Sequence, residues 1–355
     1  MKYLGELFMA TKSLPSQLTQ RTPLQDVIPL DTPYSVLLSP IDYCNIKCVF
    51  CPFHGAVKDN TMRKPHIMSM DLYKNIIDQL AAFPNQLRAL IFCGRGEPTM
   101  HKNLPEMISY AKEKGVTDTI RMTTNGFNLS PDLNQKLINA GLDYVKISVP
   151  AIDEKTCFEI TGVKLDLKQY VDNITHLFKN KRNDMTIYCK STNVALGGKG
   201  GGEPLPELAD KFYAMFEGIS DYCFIENIVP QVIRKLTEDE MKNMWIENFE
   251  AKNIYNLDAE HSNTICERLF YHFTINSIGD VFPCDLNENE ALKLGNIQQV
   301  RLQDIWNGET LKNLRIASLT GNIPGACADC AAILYDYQNE LHKYANDIHC
   351  RLLRK

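Results

Sequence analysis

Residues 35–51 read Ser35-Val-Leu-Leu-Ser39-Pro-Ile-Asp-Tyr-Cys44-Asn-Ile-Lys-Cys48-Val-Phe-Cys51. The first five form a short apolar run that reads as a buried strand. A C-x3-C-x2-C loop follows directly from its C-terminal end. Three thiols on so short a loop do not complete a closed site, because a structural zinc or a full cubane cluster takes four protein ligands. Three readings are open at this point. The loop holds a four-iron cluster with one iron left for a non-protein ligand, or a zinc completed by a distant group such as His54, or a set of reduced, packed thiols.

Outward from that loop the chain alternates. Ser69 is placed to cap a helix running to about Phe83, with Leu72, Ile76, Ile77 and Leu80 on one face. Strands are predicted over 88–93, 117–122, 144–149, 185–190 and 222–227, and helices over 104–113, 131–140, 167–180 and 205–216. Alternation of this kind predicts right-handed crossovers and a parallel α/β sheet, here a partial (β/α)6 TIM-like barrel. Barrel chemistry sits at the C-terminal strand ends. Three motifs fall there: Gly94-Arg-Gly96-Glu97-Pro98, Thr123-Thr124-Asn125-Gly126 and Ile147-Ser148-Val149-Pro150. Each alone ordinarily just ends a strand; their order behind the cysteine loop is the informative feature.

In that order they resemble the radical S-adenosylmethionine (SAM) superfamily over about residues 34–230. The resemblance implies that Cys44, Cys48 and Cys51 hold a [4Fe–4S] cluster whose open iron is chelated by the amino and carboxylate groups of SAM. It puts Phe50 near the adenine, Gly96 and Glu97 at the methionine amine, and Thr124, Asn125 and Ser148 at the SAM carboxylate or ribose. Arg95 departs from the family's Gly-Gly-Glu segment and leaves Gly94 the weaker match. The implied chemistry is reductive cleavage of SAM to a 5′-deoxyadenosyl radical that abstracts a substrate hydrogen. The cofactor supplies that reactivity, while the protein binds, orients and excludes quenchers.

Beyond residue 262 the pattern changes. Strands over 270–276 and 281–283 flank the turn Ser277-Ile-Gly-Asp280, and Cys284 follows. With Cys266 and Cys327-Ala-Asp-Cys330 they read as a zinc ribbon or an auxiliary iron–sulfur site. The hairpin, Leu294-Gly-Asn-Ile297, Asp304-Ile-Trp-Asn307 and the terminal C-x2-C resemble the SPASM/Twitch extension of radical SAM enzymes. The further cysteines of a full SPASM domain are missing at 331–334, so the resemblance implies the Twitch form: one auxiliary [4Fe–4S] cluster on Cys266, Cys284, Cys327 and Cys330, suited to electron transfer. Cys350 is expected to be idle, and Cys93, Cys157, Cys189 and Cys223 to be small packed residues. The glycine-rich 197–203 segment lacks a P-loop ending and reads as a loop over the barrel mouth. The expected division is an extension over 1–33, a barrel over 34–232, a linker helix region over 233–262 and a small α+β cluster domain over 263–355.

Composition sets the outer bounds. The 355 residues are 44% hydrophobic and 23% charged, with 38 basic against 43 acidic groups and a net charge of −5. No basic block suggests nucleic acid, and no apolar run is long enough to span a bilayer. Residues 1–15 carry Glu6 and do not read as a signal peptide, so twelve cysteines point to metal or redox chemistry in the cytoplasm rather than disulfides. The expected activity is a two-electron oxidation of a small molecule such as a sugar or aminocyclitol, with flavodoxin or ferredoxin as electron donor. The alternative is a maturase that modifies or crosslinks a ribosomal peptide, disfavoured by the short stretch before the barrel.

Overall fold

The computed structural model describes residues 22–51, 53–54, 64–198, 202–228, 237–245, 265–285, 292–328, 330 and 340–354. Six strands alternate with helices: β1 (Ser35–Leu38), α1 (Met70–Ala81), β2 (Leu87–Phe92), α2 (Leu104–Lys114), β3 (Thr117–Thr124), α3 (Pro131–Ala140), β4 (Tyr144–Ser148), α4 (Glu154–Thr161), α5 (Leu167–Asn180), β5 (Thr186–Thr192), α6 (Pro206–Phe216) and β6 (Tyr222–Glu226). Helix starts follow their capping residues. The Ser69, Ser130, Asp153 and Asp166 side chains accept from Leu72, Leu133, Thr156 and Gln169 backbone N–H groups at 2.8–3.2 Å. In α1 the buried stripe is Tyr73, Ile76, Ile77 and Leu80, with Leu72 only partly covered.

Neighbouring strands β1 to β6 are all parallel, and the sheet is open rather than closed, as expected for a partial barrel. It also continues past β1 on the other side. The segment after 263 forms β7 (His272–Ile275), β8 (Asp280–Phe282) and β9 (Gly295–Asn296), giving the order β6-β5-β4-β3-β2-β1-β7-β8-β9. The first hairpin strand is shorter than predicted, because Arg268–Tyr271 turns helical before it. β7 runs parallel to β1, pairing Ser35 with His272 and Leu38 with Ile275. The cysteine loop after β1 and Cys284 after β8 are therefore carried by one continuous sheet.

Strand alternation divides this sheet chemically. Val36, Leu38, Leu90, Phe92, Ile120, Met122, Val145, Ile147, Ile187, Cys189, Cys223, Ile225, Phe273 and Ile275 join the apolar core under the helices. The residues between them, among them Cys93, Arg121, Thr123, Lys146, Ser148, Tyr188, Lys190, Glu226 and His272, face the concave side. This inner face thus mixes charged and polar side chains with apolar ones such as Leu37 and Ala89.

Three further helices, α7 (Leu302–Trp306), α8 (Glu309–Leu319) and α9 (Ala345–Arg354), close the C-terminal part. Fully buried Trp306 anchors it: its indole N–H donates to Leu30 O at 3.0 Å, and the Arg315 guanidinium lies 4.2 Å from its ring. Truncating a side chain so placed costs about 3–5 kcal/mol. Of the region expected as a linker helix, Thr237 caps a short helix, Glu238–Asn243, through a capping box. Most of the 1–33 extension, parts of the glycine-rich loop and of the linker, and residues 331–334 lie outside the described residues.

Candidate active site

The cysteine loop is clamped from both sides by main chain. Tyr43 O accepts from Glu97 N at 2.9 Å, and Thr161 O and Ile160 O accept from Lys47 N and Val49 N, both at 2.9 Å. Fully buried Asp42 adds a third tie, accepting from His66 N at 2.8 Å and Ser277 Oγ at 2.7 Å. Gly96 permits the first clamp. A Cβ there would stand 2.3 Å from Ile41 O and 2.4 Å from Tyr43 O. Arg95 is buried, and its carbonyl lies 2.8 Å from His54 Nε2. His54 is thus turned toward main chain, in a bond that occupies one of its ring nitrogens.

Cys44, Cys48 and Cys51 are all partly buried on this loop. Burial pushes the Cys44 thiol up to about 11, with the negative charges of Glu97 and Cys51 adding to it. Burial pushes Cys48 higher still, followed by repulsion from Cys51 and Cys44, against which Lys190 pulls down. Three soft donors that repel one another as thiolates fit a cationic iron–sulfur core, which replaces their protons. Among the described residues, no three His, Cys, Asp or Glu side chains converge on a single metal ion. In a cubane each thiolate binds its own iron, so the sulfurs stand further apart than around one ion.

Glu97 is the hub beside them, only 3% exposed. Its Oε1 accepts from Thr99 N at 3.1 Å, Thr99 Oγ1 at 2.6 Å and Thr124 Oγ1 at 2.7 Å, and its Oε2 accepts from Asn125 N at 2.8 Å. Burial outweighs these bonds and raises its pKa. Oε2 keeps an acceptor direction for an ammonium group, which would restore the ionised form. Asn125 Nδ2 donates to Asn45 Oδ1 at 2.7 Å and approaches Cys44 Sγ at 3.8 Å. The predicted residues Cys44, Gly96, Glu97, Thr124 and Asn125 are thus one connected set.

Two predicted positions stand apart from that set. Phe50 packs with Val194, Ile228 and Met244, beside Met241 and Trp245, at the β5–β6 end of the mouth. Ser148 is partly exposed at the end of β4 and makes no side-chain hydrogen bond among the described residues. Sequence reasoning missed Asn45 and Tyr170. The Tyr170 hydroxyl donates to Asn125 O at 3.0 Å, and its ring lies where a Cβ on Gly126 would come within 2.9 Å. Gly126 has φ +79°, so the Thr-Asn-Gly turn has the left-handed end its sequence suggested.

The thiols of the second cysteine group influence one another electrostatically. Burial lifts Cys266 to about 12 and Cys327 to about 11, and each feels Cys330. Cys284 is raised by burial, then by Asp285, Cys266 and Cys330. Asp285 is ion-paired to Arg268, and that attraction, with His272, holds its carboxyl below the usual range despite burial. Cys157, Cys189 and Cys223 are core residues as expected, and Cys350 is exposed on α9. Cys93 is a correction: it is partly exposed and lies outside the apolar core, although burial still raises its thiol pKa.

Comparison with known proteins settles the family. Residues 38–209 match the Radical SAM superfamily, and residues 266–331 match SPASM, an iron–sulfur cluster-binding domain. The chain belongs to the radical SAM superfamily. Those two matches bring SAM and iron–sulfur clusters as its cofactors. Fe-coproporphyrin III synthase of Methanosarcina barkeri is 37% identical over 144 residues, 41% of this chain and only 32% of that protein. Among solved structures, BtrN in complex with AdoMet and 2-DOIA aligns with TM-score 0.52 and 17% identity, over 86% of this chain and 97% of that one. Streptococcus suis SuiB bound to precursor peptide SuiA aligns with TM-score 0.58 and 16% identity, over 87% of this chain and 72% of that one. At such identities the likeness concerns the fold. Among the described residues, no helix is long and apolar enough to cross a membrane.

Proposed function

We propose that this radical SAM enzyme is an oxidoreductase that removes two electrons from a small molecule bound on the inner face of the sheet. In this reading Cys44, Cys48 and Cys51 hold the SAM-binding [4Fe–4S] cluster. Gly96, Glu97, Thr124, Asn125 and Ser148 receive SAM, and Phe50 borders its adenine. When bound, the reduced cluster and SAM would supply the radical chemistry for hydrogen abstraction. The protein's part is to fix Glu97 through four donors, hold the cysteine loop through its main-chain clamps, and keep both beside the polar inner face.

Cys266, Cys284, Cys327 and Cys330 would hold the auxiliary cluster, which would supply an acceptor for the second electron. One substrate thus loses a hydrogen atom, a proton and an electron, and one SAM is consumed. The observation that supports this reading is the parallel pairing of β7 with β1, which puts the strand before the cysteine loop and the hairpin before Cys284 in one sheet. A ferredoxin or flavodoxin is the reductant this scheme calls for. The peptide-maturase alternative has SuiB as a fold relative, but that likeness is of fold alone.

The test is stoichiometric. Product and 5′-deoxyadenosine should form one to one, and Cys327→Ala with Cys330→Ala should keep SAM cleavage while losing oxidised product. Product formation that persists without the auxiliary cluster would overturn the electron-acceptor role.

A further inference from the structure

Three adjacent strands bring together charged side chains that none of the assignments above uses. Glu226 on β6 is 6% exposed and takes an ammonium on each oxygen: Lys146 of β4 on Oε1 at 2.6 Å and Lys190 of β5 on Oε2 at 3.0 Å. The Tyr188 hydroxyl reaches Oε1 at 3.3 Å, and Lys146 Nζ stands 5.4 Å from the Tyr188 ring. Both lysines hold Glu226 ionised, down to about 2, against its burial.

Two ammonium groups share one carboxylate, so the group carries one uncompensated positive charge. Buried charge of that kind is costly unless paired. The Lys146 and Lys190 side chains are 26% and 17% exposed, so each ammonium remains accessible to a ligand. Arg121, stacked near Tyr144 at 5.6 Å, adds positive charge deeper on the same face. The two lysines differ in outlook. Lys190 lies in register with Ser148 and feels Cys48, on the SAM side. Lys146 lies opposite Thr123 on β4, one strand nearer to β7 than Lys190 is.

We propose that Lys146, held by Glu226, is a substrate-recognition residue that pairs with an anionic group, a carboxylate or phosphate, on the substrate. This rests on the reading that the inner face holds the substrate, and it narrows that substrate from a neutral sugar or aminocyclitol to an acid or phosphoester. Glu226 fixes the ammonium in position and leaves two of its N–H donors for the ligand. The carboxylate of SAM is the other anion with the required chemistry, and the experiment separates the two.

Equilibrium dialysis of radiolabelled phosphate and acetate, against reconstituted enzyme with SAM present, tests the proposal. Wild type should bind at least one of them at a single site. Lys146→Met should weaken that binding about tenfold, the scale of one lost charge-assisted hydrogen bond. Lys146→Arg should retain most of it, and Glu226→Gln should tighten it by freeing positive charge. SAM affinity, dialysed in parallel, should be unchanged by Lys146→Met. The proposal is overturned if wild type binds neither anion, if Lys146→Met binds them as wild type does, or if its loss falls on SAM. Anion binding without any SAM cleavage would instead fault the catalytic reading and leave this one standing.

Discussion

Gly96→Ala is a sharp test of how the cysteine loop is positioned. The new Cβ would meet Ile41 O at 2.3 Å and Tyr43 O at 2.4 Å, where ordinary contact begins at 3.4 Å, so the two backbones must part by about 1 Å. Neither neighbour is a side chain that can rotate away. Parting stretches the 2.9 Å bond from Glu97 N to Tyr43 O beyond hydrogen-bond length. The lost bond costs about 1 kcal/mol and the overpacking about 1–3 kcal/mol more. Chemistry suffers more than stability, because a displacement of about 1 Å between reacting groups costs on the order of 100-fold in rate. The assay is anaerobic formation of 5′-deoxyadenosine from SAM under strong reductant, with Gly218→Ala as control, since a Cβ there meets nothing within 4 Å. Cleavage should fall about 100-fold in Gly96→Ala alone, while the auxiliary cluster's absorbance stays. Equal cleavage by the two variants would refute the argument that main-chain contact at Gly96 aligns Cys44 with Glu97.

Other perturbations follow from the same contacts. Tyr170→Phe strips the donor from buried Asn125 O and should lower stability by about 1–3 kcal/mol, seen as a lower melting temperature; an unchanged melt would contradict it. His272 is buried beside Ser35 Oγ at 2.9 Å, and burial lowers its pKa from 6.5 to about 4. Its unfolded form takes up a proton first, so stability is full above pH 6.5 and is lost as pH falls toward 4. The loss amounts to about 3 kcal/mol, measurable by urea unfolding across that window, and His272→Gln should flatten it.

Much of this molecule is legible as periodicity. Pro131–Ala140 and Leu167–Asn180 are helices with the boundaries their apolar spacing and caps predict, and the six parallel strands fall within two residues of their predicted starts. Helix α4 escaped because it is only two turns long, and its role is tertiary: its last carbonyls receive the cysteine loop. The pairing of β7 with β1 joins residues more than 230 apart, which no local pattern encodes. In the site, Glu97, Thr124 and Asn125 were readable because their motifs follow strand ends. Asn45 and Tyr170 were not, since a polar loop residue and a helix tyrosine look ordinary until the fold brings them to Asn125. The Lys146–Glu226–Lys190 group was hidden for a different reason. Each residue occupies a strand position where alternation marks only a change of face, and the pairing appears when three strands align.

The central claim is that the two cysteine groups hold separate iron–sulfur clusters and that only the first cleaves SAM. The measurement is iron, sulfide and 5′-deoxyadenosine in anaerobically reconstituted wild type and in the Cys44→Ala, Cys48→Ala, Cys51→Ala triple variant. Wild type should hold about eight irons and eight sulfides and cleave SAM, and the triple variant about four of each with no cleavage. Stoichiometric zinc without charge-transfer absorbance in wild type, or SAM cleavage surviving in the triple variant, would contradict it.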